Sequence, residues 1–392
     1  MRTEEVLKKI PELKKDELYF WRKSGFIQSQ VVQDGRAKRH EWDLEEVRKI
    51  QLMKELCISG LSPKEAYCKA TEDFLGRIKV IAIGDAGCNI LQRLNRAKIQ
   101  GVQSIAVNTD AEALMRSNAH KHIQIGKGVA NGIGLTGDWK LGAQAAEESS
   151  DELRASINGA NIVFIIAGMG GGTGTGAAPL IAELVKKSGA LTIAILIKPF
   201  TFEGETRKMT AEMGITQLKE MVDALIEIPN DRILSLGNEV RTVDSAFKAV
   251  DNMVKEIIEG ITELIQTTGE IDISYSDVRT ILHRKGPILI STGSGTGKDR
   301  AIDACQAALS NPLIDASMLK VATKVLFNIT GPSDLLLKEV NDAVDMIKKG
   351  VGKAAEVIFG VTLNSKLNDE VKVILFAVGN GSGSLGGEQN ES

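Results

Sequence analysis

The segment AGMGGGTGTGAAP (167–179) places six glycines in thirteen positions, between an apolar run typical of a buried strand and a helical pattern. Glycine at this density loses conformational entropy on folding and adds nothing to a core. A glycine-rich turn that opens a helix presents main-chain N–H groups at the positive end of the helix, which suits phosphate. A tight turn with close helix–sheet packing would need only one or two glycines. We therefore expect a phosphate cradle here.

Two common nucleotide motifs are not satisfied. A Walker loop needs a lysine followed by Ser or Thr, and this segment has no lysine, while GSGTGK (293–298) is followed by Asp299. The segment GDAGCN (84–89) has Ala86 where the dinucleotide fingerprint needs its second glycine. Neither a Walker-type ATPase nor an NAD-binding protein is favoured.

The surrounding pattern predicts the elements that must hold this loop. Short apolar runs at 78–83, 104–108, 161–167 and 191–197 alternate with helical stretches. Such runs are typical of parallel strands buried on both faces, so we predict a doubly wound α/β sheet. A long helix and a second α/β domain follow. The predicted ranges are 1–75 for a small N-terminal domain, 76–242 for the first α/β domain, 243–269 for the long helix, 270–380 for the second α/β domain and 381–392 for a disordered tail.

Seven motifs that occur in a fixed order resemble the tubulin/FtsZ superfamily, in its FtsZ-like branch. The resemblance runs from Ile78 to about Gly379. It implies a Rossmann-like GTPase domain, a central helix and a second α/β domain. The motifs are IGDAGCN (83–89), AVNTDAEAL (106–114), GIGLTGD (132–138), GGGTGTG (170–176), KPFTFEGETR (198–207), EIPNDRIL (227–234) and AFKAVDN (246–252).

The resemblance also implies GTP or GDP as ligand, with Mg²⁺, and a role for each motif. A carboxylate can accept two hydrogen bonds from the N–H edge of guanine, which adenine does not offer. Taken alone, Asn230 and Asp251 could equally be a helix cap and a surface charge. The implied GTP-binding residues are Gly84, Gly87, Cys88 and Asn89 in a first phosphate loop; Gly170, Gly171, Gly172, Thr173, Gly174, Thr175 and Gly176 around the phosphates; Gly132, Gly134 and Gly137 near the γ-phosphate; Glu203 and Arg207 at the ribose; and Asn230, Asp251 and Phe247 at the base.

The loop that is catalytic in this family departs from the family pattern. In the family it carries N-x-D-x-x-D and completes the site of the next subunit, so that hydrolysis requires polymerisation. In GEIDISYSD (269–277), Asp272 stands where the family has asparagine, Ser274 where it has the first aspartate, and Asp277 where it has the second. Losing one polar group at such a site typically costs on the order of 10²-fold in rate. We expect slow GTP hydrolysis with Asp277, assisted by Asp272, as the catalytic residues.

The N-terminal domain has a different pattern. Residues 8–39 hold nine basic and four acidic residues, a local excess of +5 in a chain of net charge −3. Two short helices, a hairpin with its tip at Asp34–Gly35 and two further helices resemble the MerR family of winged helix-turn-helix domains. We expect Tyr19 and Phe20 to be core residues. The resemblance implies DNA contacts from Lys14, Lys15, Arg22, Lys23, Arg36, Lys38 and Arg39, and the alternative is a solvated basic face or a protein-docking domain.

Composition narrows the class of protein further. The four cysteines are scattered and form no metal-ligand pattern, and no apolar run is long enough for a membrane span, so we expect a cytoplasmic protein without a bound structural metal. The final SLGGEQNES does not resemble the apolar-basic peptide that ends the family's tails, so we expect no direct membrane binding.

Three functions stay open at this stage. The first is a head-to-tail GTPase filament coupled to DNA through the N-terminal domain. The second is an FtsZ-type cell-division protein whose N-terminal module docks division or segregation proteins. The third is a GTP-responsive transcription regulator.

Overall fold

A computed structural model describes most of the chain as two compact units, Met1–Arg77 and Ile78–Ser392. The predicted tail, 381–392, lies outside the described residues. These are 2–24, 27, 30–34, 37–42, 44–66, 78–97, 99, 101–130, 132–135, 137–234, 242–266, 270–271, 273, 275–282, 288–311, 317–365 and 367–379.

The first unit contains two short helices, a hairpin and a third helix. They are α1 (Thr3–Lys9), α2 (Lys15–Lys23), β1 (Gln30–Asp34), β2 (Ala37–Glu41) and α3 (Leu44–Ile58). The register pairs Asp34 with Ala37. The predicted hairpin tip, Asp34–Gly35, includes a residue that lies outside the described part of the chain. Trp21 lies in the core, but Tyr19 and Phe20 are 58% and 52% exposed, which corrects the prediction that both are core residues. The reason is helical spacing: Leu18 and Trp21 already occupy the buried face of α2.

The second unit begins with a six-stranded parallel sheet. Its strands are β3 (Ile78–Ile83), β4 (Val102–Asn108), β5 (Lys121–Gln124), β6 (Ile162–Gly168), β7 (Leu191–Lys198) and β8 (Ala224–Pro229). Their spatial order is β5-β4-β3-β6-β7-β8. The direction of winding therefore reverses between β3 and β6, and in such sheets ligands bind outside the carboxyl ends of the strands at that point.

Helices cover this sheet. They are α4 (Gly84–Ala97), α5 (Ala111–Arg116), α6 (Lys127–Ala130), α7 (Trp139–Glu148), α8 (Ser150–Ile157), α9 (Gly172–Ser188), α10 (Glu205–Lys219) and α11 (Asp231–Leu234). Strand residues alternate between two hydrophobic clusters, one on each face, as the continuous apolar runs predict. Lys79 is a buried charged residue in β3. Its Nζ donates to the carbonyls of Ser156 (2.7 Å) and Asn158 (2.8 Å), and burial lowers the pKa of this lysine.

A long helix, α12 (Val243–Gln266), joins the parallel sheet to a second sheet. One hydrophobic cluster contains strand residues of the parallel sheet, Val254 and Ile258 of α12, and Ile290 and Phe376 of the second sheet. The second sheet has the order β11-β10-β12-β9, with β10 and β11 parallel and the other pairs antiparallel. The remaining elements are α13 (Tyr275–Leu282), β9 (Ile288–Thr296), α14 (Arg300–Leu309), α15 (Ser317–Lys320), β10 (Ala322–Gly331), α16 (Leu337–Gly350), β11 (Glu356–Leu363) and β12 (Glu370–Gly379).

None of the described helices combines the length and the apolar character that a membrane crossing requires.

Candidate functional site

The glycine-rich loop connects β6 to α9 at the point where the sheet reverses. Gly171 is the N-cap of α9, in extended conformation, and no side chain accepts a hydrogen bond from the first turn. A 17-residue helix thus begins with main-chain N–H groups that have no side-chain cap. Such a terminus, at the carboxyl edge of a parallel sheet, is suited to an anion.

The glycines of this loop do two different jobs. A Cβ on Gly174 would collide with the carbonyl oxygen of Gly168, and Gly170 has φ +95° and lies against the Arg207 carbonyl, 2.8 Å from where a Cβ would stand. Close packing therefore requires more than the one or two glycines expected from sequence. At Gly171, in contrast, a Cβ would meet nothing within 4 Å. Close packing also accounts for Gly172 and Gly176.

The two loop threonines hold the loop in shape. Thr175 Oγ1 accepts a hydrogen bond from the Gly170 N–H at 2.8 Å, and Thr173 Oγ1 lies 2.9 Å from Thr109 Oγ1. All three threonines are buried. Their hydroxyls are used within the protein, which leaves the main chain of the loop as the surface for a ligand.

The first predicted phosphate loop lies beside the second. Gly84 follows β3 directly with φ +71°, and a Cβ there would stand 3.3 Å from the Gly174 nitrogen. The N-termini of α4 and α9 are therefore adjacent. Asn89 is exposed on α4, whereas the Cys88 side chain lies in the core and burial raises the pKa of its thiol to about 12. A ligand contact from Cys88 would have to come from its main chain.

Two further loops reach the same edge of the sheet. Gly132 and Gly137 adopt positive φ in the segment after α6, and Gly134 lies near the Asp110 carboxylate. Asp85, in the first turn of α4, accepts a hydrogen bond from the Asn108 amide at 2.8 Å.

The ends of β8 and α12 supply two buried acceptors. Asn230 directly follows β8, is 4% exposed, and its Oδ1 has no hydrogen-bond partner among the described residues. Asp251 on α12 is 6% exposed and forms an ion pair with Arg93 of α4. Burial raises the pKa of Asp251 above its usual range, although the Arg93 guanidinium opposes this shift. A buried acceptor without a donor lowers the stability of a protein by about 1–3 kcal/mol. We therefore expect a ligand to donate a hydrogen bond to Asn230 Oδ1.

Aromatic and charged residues surround these acceptors. Phe247, one turn before Asp251, is 41% exposed and meets the edge of Phe200, with ring centroids 6.3 Å apart. Glu203 accepts a hydrogen bond from the Phe200 N–H at 2.9 Å and forms an ion pair with Arg207. The predicted ribose pair is thus assembled as a unit.

Of the two predicted catalytic residues, the described part of the chain includes Asp277. Asp277 is on α13, which packs against β10 of the second sheet, and so belongs to a different part of the unit from the phosphate loops. Asp272 and Ser274 lie outside the described residues.

Sequence reasoning missed three residues of this site. Arg93 could have been found from its spacing, because it is four residues after Asn89 on the same face of α4. Asn108 and Thr109 are polar residues at the end of an otherwise apolar strand, which is where parallel sheets place ligand groups. Each of the three contacts another residue of the site. Arg93 pairs with Asp251, Asn108 donates to Asp85, and Thr109 contacts Thr173.

Fold and site together define a Rossmann-like nucleotide-binding protein with two adjacent helix N-termini and a buried pair of acceptors. The family model for the GTPase domain of the Tubulin/FtsZ family matches residues 77–238, and that for the C-terminal domain of the FtsZ family matches 286–381. The chain belongs to the tubulin/FtsZ family.

Solved structures agree with this placement. An FtsZ from M. jannaschii, solved as an empty dimer, is 36% identical; the match covers 81% of this chain and 93% of that one, with a TM-score of 0.71. CetZ2 from Haloferax volcanii, solved as a GTPγS-bound protofilament, is 21% identical over 77% of this chain and 93% of that one, with a TM-score of 0.65. The second likeness is one of fold.

Proposed function

We propose that this protein binds GTP in the crevice at the carboxyl edge of the parallel sheet, hydrolyses it slowly, and assembles head to tail into filaments. The observation that carries the proposal is the orphaned Asn230 oxygen at the carboxyl end of β8, together with the buried Asp251 carboxylate and the α9 N-terminus that has no side-chain cap. Membership of a family of GTPases supports it.

The two acceptors favour guanine over adenine. The guanine edge offers N1–H and N2–H donors, which Asp251 can accept, and Asn230 Oδ1 can take a further donor. Adenine offers an acceptor at N1, and that would oppose the carboxylate. Phe247 supplies an exposed ring on which the base can stack.

The other end of the crevice suits the phosphates. The main-chain N–H groups from Gly171 onward and the N-terminus of α4 contribute partial positive charge. Gly132, Gly134 and Gly137 lie in the loop nearest to Asp110, where a γ-phosphate could be sensed. Glu203 and Arg207 would then bind the ribose.

Hydrolysis would use a residue from a neighbouring subunit. Water attacks the γ-phosphorus, the bond to the β–γ bridging oxygen breaks, and GDP and phosphate leave. The Asp277 carboxylate would polarise that water, and because α13 packs on the second sheet, it would do so for the next subunit in the filament. Protofilament and dimer structures of the similar proteins support this arrangement.

Sedimentation with GTP, GDP or no nucleotide tests this proposal, with phosphate release measured in the same samples. We expect pelleting with GTP and turnover that rises more steeply than protein concentration. Turnover strictly proportional to concentration, with no pelleting, would contradict assembly-coupled hydrolysis.

A second function, DNA binding by the first unit, is favoured by the surface of α2. Lys15, Tyr19 and Lys23 follow helical spacing on one exposed face, and the Arg22 guanidinium lies 5.2 Å from the Tyr19 ring centre. Lys14 is exposed at the start of the helix. Basic residues beside exposed aromatic rings suit a nucleic-acid backbone. The side chains of Arg36, Lys38 and Arg39 lie outside the described residues.

Binding of a labelled duplex by the full chain over a range of salt concentrations tests this function. Replacing Lys15 and Lys23 by Glu should weaken binding and reduce the salt slope by about 2, since each phosphate contact contributes nearly one unit. Lys348 and Lys349 of α16, exposed and distant in sequence, provide the matched charge reversal. Equal loss in both variants would indicate a non-specific charge effect and favour a protein-docking or regulatory role for this unit.

A further inference from the structure

Asp85 places a carboxylate at the junction of the two helix N-termini. Gly84 packs against the Gly174 nitrogen, so residue 85 stands beside the first turn of α9 while belonging to the first turn of α4. Asp85 is the acidic residue within GDAGCN (84–89), the first predicted phosphate loop.

The Asp85 carboxylate is held in this place. Its Oδ1 accepts the Asn108 Nδ2–H at 2.8 Å, and Asn108 is itself buried with its own Oδ1 facing the Asp110 N–H at 3.3 Å. Turning the carboxylate away into solvent would take this acceptor from the buried Asn108 amide, which is unfavourable. Outward rotation is therefore not the way in which this protein tolerates the charge.

Phosphate at the same junction would repel this carboxylate. Within the described part of the chain, Asp85 forms no ion pair with a Lys or Arg that could offset the repulsion. A divalent cation resolves the conflict, because Mg²⁺ prefers oxygen ligands and commonly binds through one or two carboxylates together with substrate phosphates. The donor set here, a carboxylate oriented by a buried amide, fits that preference.

We propose that Asp85 binds the Mg²⁺ that accompanies GTP, directly or through a water molecule, and thereby makes nucleotide binding strongly dependent on Mg²⁺. This inference rests on the proposed GTP site. Asn108 is then a positioning residue that fixes the carboxylate, and the remaining cation ligands come from the nucleotide and from water.

Titration calorimetry of the full chain with GTPγS, in Mg²⁺ and in EDTA, tests the proposal through binding alone. For the wild-type protein we expect an affinity at least tenfold lower in EDTA. Asp85→Asn and Asp85→Gly should bind about tenfold more tightly than wild type in EDTA, since removing one repelling charge is worth roughly that factor. For both variants, the ratio of GTPγS affinity in Mg²⁺ to GTPγS affinity in EDTA should be much smaller than for the wild-type protein. Asp345→Asn, an exposed carboxylate on α16, is the matched control and should behave as wild type.

Two results would overturn the proposal in distinguishable ways. If all proteins bind and the Mg²⁺ ratio of Asp85→Asn equals that of wild type, Asp85 does not bind the cation and the GTP site stands. If wild type binds no GTPγS in either condition, the GTP site and this inference fail together. Thermal melts without nucleotide identify a variant that does not fold, and the second Asp85 substitution then decides.

Discussion

At the scale of single residues, the base end of the crevice combines one satisfied and one unsatisfied acceptor. Asp251 forms an ion pair with Arg93, and Asn230 Oδ1 has no donor among the described residues. Guanine would supply donors to both. The Arg93 pair then keeps the Asp251 carboxylate oriented before the base arrives.

Asp251→Asn should lower GTP affinity about 10- to 100-fold, because charge-assisted hydrogen bonds contribute about 1.5–3 kcal/mol. It should also narrow the preference for GTP over ITP, which lacks the 2-amino donors. Competition binding with the two nucleotides measures both effects. Asp244→Asn, an exposed carboxylate on the same helix, should change neither. An unaltered GTP-to-ITP ratio in Asp251→Asn would remove this residue from base recognition.

The same substitution should leave folding nearly unchanged at neutral pH. A raised pKa means that the folded state favours the protonated carboxyl, so this contribution to stability is present at low pH and is lost as pH rises through the folded pKa. Asparagine does not pay that desolvation cost, and the unpaired Arg93 side chain is 37% exposed. Chemical denaturation at several pH values measures the free energy of unfolding of the variant, and so distinguishes an effect on stability from the loss of nucleotide binding.

At the scale of elements, the glycines of the loop before α9 have different roles. Gly174 is required for close packing, whereas Gly171 is available to a ligand. Gly174→Ala should destabilise the protein, because its Cβ would meet the Gly168 carbonyl and backbone must shift. Gly171→Ala should fold normally, since its φ is −93° and the space around it is open. A methyl group there would stand where phosphate approaches, so GTP affinity should fall. Urea unfolding and nucleotide binding are measured on both variants. We expect Gly174→Ala to lose stability, and Gly171→Ala to keep its stability but bind GTP more weakly.

In the second α/β domain, Arg300 at the start of α14 contacts the first turn of α16 and the segments that precede α16 and β12. Its guanidinium is buried and donates to Asp334 (2.9 Å), Glu339 (2.9 Å) and Asp369 (3.2 Å). Burial alone would raise the pKa of Glu339, but the hydrogen bonds from Arg300 and from the Leu336 N–H outweigh it and lower that pKa.

Arg300→Met should therefore cost about 3–5 kcal/mol of unfolding free energy, the usual loss when one partner of a buried ion pair is removed. Because the Glu339 pKa is lowered, wild type gains stability above the usual glutamate range and loses it as pH falls. The variant should show less of that acid loss. Arg154→Met, which breaks an exposed pair with Asp151, should cost no more than about 1 kcal/mol. A similar cost for both would mean that burial of Arg300 adds nothing.

At the scale of the whole molecule, the proposal requires an active site that two subunits share. Asp251 lies on α12, in the proposed nucleotide crevice, whereas Asp277 lies on α13 against the second sheet. Head-to-tail contact is heterologous, so each subunit would present a crevice at one end and α13 at the other.

Mixing two impaired variants tests this division. Asp251→Asn retains Asp277, and Asp277→Ala retains the crevice. At a GTP concentration too low to fill the weakened Asp251→Asn site, an equimolar mixture should therefore hydrolyse GTP faster than either variant alone. Phosphate release is the measurement, and a mixture of Asp277→Ala with wild-type protein at matched concentration gives the reference. Strictly additive residual rates would place both residues in the site of a single subunit.

Local composition and spacing were enough to predict the fold class, the strand runs and the position of the glycine loop, because these features set buried parallel strands and helix starts. Motif order further led to the tubulin/FtsZ family, which the comparisons confirmed. Contacts between residues far apart in the sequence could not be predicted from spacing and were seen only in the folded structure. It brought Arg93 to Asp251 across 158 positions and Asn108 to Asp85 across 23. It also showed that most loop glycines serve close packing, and it exposed Tyr19 and Phe20, because one helix face can be buried only once.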